Sequence, residues 1–123
     1  MNILFVFIGG GLGSIARFGT NELTKKYFTV NFPAGTLLAN LLSAFILGMF
    51  MGWFLSTDKN SETSRFLIAT GFCGGFSTFS AFTFETFELL KAGNTMMAVG
   101  NILVSFVGCL VALWVGWRVM VHG

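Results

Sequence analysis

The sequence predicts an all-α membrane protein with four transmembrane helices, and three observations carry that reading. Of 123 residues, 54% are hydrophobic and 10% charged, and the mean hydropathy is +0.80, far from the composition of a soluble domain. Polar residues divide the chain into four apolar stretches, at about 3–24, 34–55, 66–89 and 97–120, each close to the roughly 20 residues that cross a bilayer as a helix. These stretches are continuously apolar, without the alternation of a membrane barrel strand, and a helix satisfies its own backbone in lipid. Four spans with short connections use the whole length, so residues 1–123 read as a single four-helix transmembrane domain.

The same composition excludes other classes. Seven basic and five acidic residues leave a net charge of +2, too weak and too dispersed for a nucleic-acid surface. Cys73 and Cys109 lie in apolar stretches with no histidine at ligand spacing, which suits small buried hydrophobes and not a zinc or redox motif. His122, next to last, is given no role. The run Asn2–Ile8 lacks a basic leader and passes into Gly9-Gly10-Gly11, so it reads as a retained span and not as a cleaved signal.

The first span contains Gly9-Gly10-Gly11-Leu12-Gly13-Ser14-Ile15-Ala16, a match to the dinucleotide-binding pattern. That pattern needs a strand before it and an acid about 20 residues on, inside a soluble sheet. Residues 31–36 read Asn-Phe-Pro-Ala-Gly-Thr, so close helix contact is the better use of these glycines. Arg17 follows in the same span, where a guanidinium is costly unless it pairs or faces water. It reads equally as an anion attractor at an aqueous vestibule and as a snorkelling side chain at a helix end. The separator Thr24-Lys25-Lys26-Tyr27 ends near the single proline, Pro33, which suits the first turn of span two, where a missing N–H costs nothing. Asn40 then places an amide in mid-span.

The next separator runs from Ser56 to Glu62, with Ser61 and Glu62 to Ser64 offering capping groups. Span three carries Gly71-Phe72-Cys73-Gly74-Gly75-Phe76-Ser77-Thr78-Phe79-Ser80-Ala81-Phe82-Thr83-Phe84-Glu85. Gly74-Gly75 followed by Ser77-Thr78 predicts a break, which frees backbone carbonyls inside the membrane; a kinked packing helix is the plainer alternative. Irregular backbone at that depth must be buried in protein, line a cavity or bind an ion. Phe79 and Phe82 stand three apart on one helix face, and Ser80 and Thr83 repeat the spacing beside them. Aromatic stripes usually serve as core or lipid contact, but a mixed phenyl and hydroxyl strip suits an ion, because a ring edge is weakly positive. After Lys91-Ala92-Gly93-Asn94, span four sets Asn101 and Ser105 one turn apart, and with Asn40 they suggest a narrow polar pathway.

Small residues recur four apart at Gly9 and Gly13, Gly48 and Gly52, Gly71 and Gly75, and Gly108, Ala112 and Gly116. Generic bundle packing explains any one pair; stripes in every span predict a tight bundle. Four spans put Lys59, Arg65 and Arg118 on one side of the membrane and Lys25, Lys26 and Lys91 on the other. Orientation normally follows an excess of Lys and Arg in cytoplasmic loops; three against three, or a difference of one if Arg17 is counted, predicts insertion both ways up, with an orientation fixed by other factors as the alternative. Opposed copies can pair about a twofold axis in the membrane plane, where the breaks would bring carbonyls together around a small hard cation such as Na⁺.

The segment Gly71 to Phe82, with the Gly-rich opening through Arg17 and Gly35-Thr36-Leu37-Leu38-Ala39-Asn40, closely resembles the bacterial Fluc/CrcB fluoride channels. The likeness covers the whole chain. It implies four spans per subunit, a broken third helix, an antiparallel dual-topology homodimer in the inner membrane, two fluoride pores and a central structural Na⁺. Carried over by motif, the Na⁺ ligands would be the backbone carbonyls of Gly74 and Ser77. Phe79 and Phe82 would be the pore phenylalanines and Asn40 the pore amide, with Ser105 a match from span four, and Glu85 would be the acidic residue that follows the motif. Where the family usually has Ser-Thr-Phe this chain has Ser80-Ala81-Phe82, so a hydroxyl is missing, and a lower fluoride flux than that of an Ala81→Thr version is expected.

The reading is a passive fluoride channel, not an enzyme. One rival is a small proton-coupled exporter, which needs an exchanging membrane carboxylate such as Glu85 or Glu88 near the end of span three. Another is a non-transporting assembly subunit, favoured by the small-residue stripes.

Overall fold

The computed structural model describes residues 2–27, 33–56 and 62–122, and all regular structure among them is helical. Helix α1 covers Asn2–Tyr27 and α2 covers Ala34–Ser56. The third span opens with the single turn α3 (Glu62–Ser64), widens into a π-type helix over Arg65–Cys73, and returns to α-geometry in α4 (Gly74–Phe76). It resumes as α5 (Phe79–Lys91), and α6 (Thr95–His122) completes the bundle. Four stretches are long and apolar enough to cross a membrane: Asn2–Tyr27, Ala34–Phe54, Arg65–Lys91 and Thr95–Val121. The chain is a multi-pass membrane protein.

Boundaries differ from the sequence expectation in understandable ways. The separator Thr24–Tyr27 continues α1 as helix, and Thr20 and Thr24 satisfy their hydroxyls within it on the carbonyls of Ala16 and Thr20, at 2.9 and 2.7 Å. Pro33 precedes α2 instead of entering its first turn, and its carbonyl accepts the Leu37 amide at 3.2 Å. Ser64 lies inside helical backbone and not at its cap, while Lys59 and Ser61 fall outside the described residues. The turn at Lys91–Asn94 is as expected. Gly93 takes φ +88°, its amide bonds Leu90, and the Asn94 amide reaches Leu89, which closes α5 with the paired backbone bonds of a left-handed cap.

The glycine stripes set which helices touch. A Cβ on Gly13 would run into the Phe72 carbonyl oxygen and stand 2.7 Å from the Phe76 nitrogen, so α1 lies against the third span almost backbone to backbone. On the other side of the bundle, a Cβ on Gly116 would strike the Phe45 carbonyl, which makes α2 and α6 the second close pair. With no hydrophobic force between helices in lipid, such close packing contributes to holding them, together with hydrogen bonds between spans. The outer faces are apolar, including Phe7, Ile15 and Phe18 of α1 and Leu103, Val107 and Leu110 of α6.

Candidate functional site

Between α2, the third span and α6 lies an open cleft of about 880 Å³, with a mostly apolar wall broken by a few polar groups. Asn40, Gly74, Ser77, Phe79, Phe82, Thr83 and Ser105 all contribute to it. These residues come from three separate spans, so the tertiary structure brings most of the expected residues to one place.

The third span supplies the cleft's unusual feature. Ser77 (φ −83°, ψ 155°) and Thr78 (φ −149°, ψ 117°) are extended, so two residues without helical geometry separate Phe76 from Phe79. Side chains take over the backbone bonds there. The Thr78 amide donates to Asn40 Oδ1 at 2.8 Å, and Asn40 Nδ2 donates back to the Thr78 carbonyl at 3.3 Å. The Thr78 hydroxyl caps α5 by accepting the Ala81 amide at 3.1 Å. In an unbroken helix those two amides would close on the carbonyls of Gly74 and Ser77. Those carbonyls have lost their helical donors, whereas the neighbouring Cys73 carbonyl accepts from Ser77 N, Ser77 Oγ and Ser43 Oγ, at 3.0, 2.8 and 2.9 Å.

The remaining expected residues vary in position. Phe79 and Phe82 hold their rings 5.7 Å apart at 43°, Phe79 being 78% exposed and Phe82 half-buried. Thr83 faces the cleft, but its hydroxyl donates to the Phe79 carbonyl at 2.9 Å, because a mid-helix threonine can return its proton to the turn below. Ser80 is exposed and outside the cleft wall, and its hydroxyl stands 3.4 Å from that of Thr78. Ala81 is outside the wall as well, so the hydroxyl missing there is not one that would face this cleft. Arg17 is half-buried on α1, away from the cleft, and its Nε is a buried atom with no hydrogen-bond partner among the described residues. The same holds for Oε1 of Glu85.

Sequence reasoning placed Thr78 at the break but missed its bonding role, and it missed Ser43 and Thr86 altogether. Thr86 joins α5 to α6: it accepts from the Asn101 amide at 2.9 Å and donates to the Phe82 carbonyl at 2.8 Å. Ser105 donates to Asn101 Oδ1 at 3.3 Å, which completes a buried polar chain beside the cleft. A signal was available for Thr78, a hydroxyl residue directly before a helical run, where an N-cap belongs. No local pattern pointed to Thr86 or Ser43, whose partners are on other spans.

The family model of CrcB-like protein, Camphor Resistance (CrcB), matches residues 4–117. A protein of Citrifermentans bemidjiense named fluoride-specific ion channel FluC is 40% identical over 114 residues, covering 93% of this chain and 92% of its own. Proteins of the same name from Opitutus terrae and Coxiella burnetii are 39% and 37% identical, over 92% and 94% of this chain and 87% and 94% of theirs. Those names describe ion channels, a transport function and not catalysis. With four apolar spans, a cleft between them and a family match across nearly its whole length, the chain belongs to the CrcB-like family.

Proposed function

We propose that this chain is a passive fluoride-selective channel of the inner membrane, working as an antiparallel dual-topology homodimer with two pores and a structural Na⁺ between the copies. The observation that carries the reading is the convergence of Asn40, Phe79, Phe82, Thr83 and Ser105 on one cleft, with no charged side chain in its wall among the described residues. Hydrofluoric acid enters a cell as a neutral molecule and dissociates inside, and the trapped anion then leaves down its electrochemical gradient.

The wall suits a dehydrated small anion. Ring edges of Phe79 and Phe82 offer weakly positive hydrogens, and Asn40 keeps one N–H beyond the hydrogen used on the Thr78 carbonyl. Such donors replace part of a hydration shell without the tight hold of a fixed ammonium, and selectivity over larger halides would come from a constriction formed once a second copy covers this open cleft. Thr83 and Ser105 extend the polar strip within the wall, whereas Ser80 and Arg17 are outside it; Arg17, on α1, is left the role of drawing anions towards the protein from a separate vestibule.

The residues also suit the cation. The Gly74 and Ser77 carbonyls lack their helical donors, and Gly74 is exposed, with nothing within 4 Å of an added Cβ, so a second copy has room to approach. Unwound backbone carbonyls are the oxygen type that holds Na⁺ in membrane proteins, where the ion neutralises their crowded dipoles.

The test is halide efflux from liposomes containing only this chain. Fluoride efflux with chloride retained is the expected result; equal loss of both, or of neither, overturns the proposal.

A further inference from the structure

Asn40 and Thr78 make an arrangement that a pore lining does not require. Asn40 meets both backbone groups of one residue, accepting from Thr78 N and donating to Thr78 O. Only a primary amide of this length offers an acceptor and a donor side by side for such an exchange. Thr78 in turn spends its hydroxyl on Ala81 N. Each of these bonds removes one amide from one carbonyl: Thr78 N from Gly74 O, and Ala81 N from Ser77 O. The two diverted amides correspond to the two carbonyls proposed above as Na⁺ ligands. Nothing comparable happens at Cys73, whose carbonyl accepts three donors.

We infer that Asn40 and Thr78 are the positioning residues of the cation site, keeping the Gly74 and Ser77 carbonyls free of amide donors so that they can take a monovalent cation. The inference rests on the sodium reading above. Asn40 thereby joins two functions. It is a member of the cleft wall, and it holds the peptide whose conformation exposes the carbonyls behind it. An asparagine serving the anion alone would not need to take the Thr78 amide on its oxygen.

The experiment compares thermal unfolding of purified full-length protein in Na⁺ with that in N-methylglucamine, since a ligand that binds only the folded state raises Tm. The unsubstituted protein should show a rise with Na⁺. Thr78→Val, which keeps shape and loses the hydroxyl, and Asn40→Leu should lose that rise, and Thr78→Ser should restore it. Ser105→Ala, a cleft substitution distant from the carbonyls in sequence, should keep the rise while altering fluoride flux. A Na⁺ response retained in both Thr78→Val and Asn40→Leu overturns this inference and leaves the sodium reading standing. No response in the unsubstituted protein overturns the sodium reading, and the inference with it. Should the variants not fold, ¹³C-carbonyl signals of Gly74 and Ser77 in the unsubstituted protein decide: they move on Na⁺ addition if the carbonyls are free to bind it, and unmoved signals overturn the sodium reading and the inference with it.

Discussion

Asn101 of α6 donates its amide to the Thr86 hydroxyl of α5 at 2.9 Å, and Thr86 passes its own proton to the Phe82 carbonyl one turn below. Asn101 is 2% exposed, so a polar group that would be costly in lipid is buried with its partner. The pair ties the helix bearing Phe82 to α6.

A double-mutant cycle of Asn101→Leu and Thr86→Val should therefore give a favourable coupling. Its size is expected at about 0.6 kcal/mol and below ~2 kcal/mol, because the unfolded chain in a membrane also finds partners for these groups. Reversible unfolding in mixed micelles measures it, and zero coupling would show that the contact contributes nothing.

Close backbone approach makes Gly13 intolerant of a side chain. Gly13→Ala meets the Phe72 carbonyl and the Phe76 nitrogen, whereas Gly11→Ala meets nothing within 4 Å. The first should destabilise the protein by about 1–3 kcal/mol as α1 is forced from the third span. The second should leave thermal stability nearly unchanged. Equal melting temperatures for the two variants would contradict the packing described.

Phe82 and Phe84 separate the ion's role from that of lipid contact. Phe82 is in the cleft wall, while Phe84 is 62% exposed and outside it. An aromatic edge contact is worth about 1 kcal/mol, so Phe82→Leu should lower fluoride efflux by roughly five- to tenfold. Phe84→Leu should leave efflux within about twofold, since it removes no cleft contact. Liposome flux, normalised to protein inserted, distinguishes them.

Charge balance predicts orientation. With Lys59, Arg65 and Arg118 facing Lys25, Lys26 and Lys91, a tag on the C-terminus should be found on both faces of the membrane, and two lysines added after His122 should move it to the cytoplasmic face. Protease access in spheroplasts and inverted vesicles reads this, and a single orientation in the unsubstituted chain would remove the basis for an antiparallel pair.

Several features are legible in the order of amino acids alone because they depend on composition and period. Four apolar runs of spanning length, the glycine stripes, the turn at Gly93 and the polar character of Asn40, Asn101 and Ser105 are all local properties. Gly13 and Gly116 are recognisable as contact positions, but not which backbone each meets. Spacing groups Ser80 with Thr83, yet the extended residues at 77 and 78 start a new helix and leave Ser80 outside the cleft.

What the sequence determined by itself is the solvent: a chain this apolar, cut into four spans, must satisfy its backbone in helices within lipid. What only the tertiary structure decided is which polar groups meet. Asn40 lies 38 residues from Thr78, and Thr86 lies 15 from Asn101. A hydrogen bond depends on distance and angle at the end of folding, and no periodicity along the chain encodes a partner on another helix.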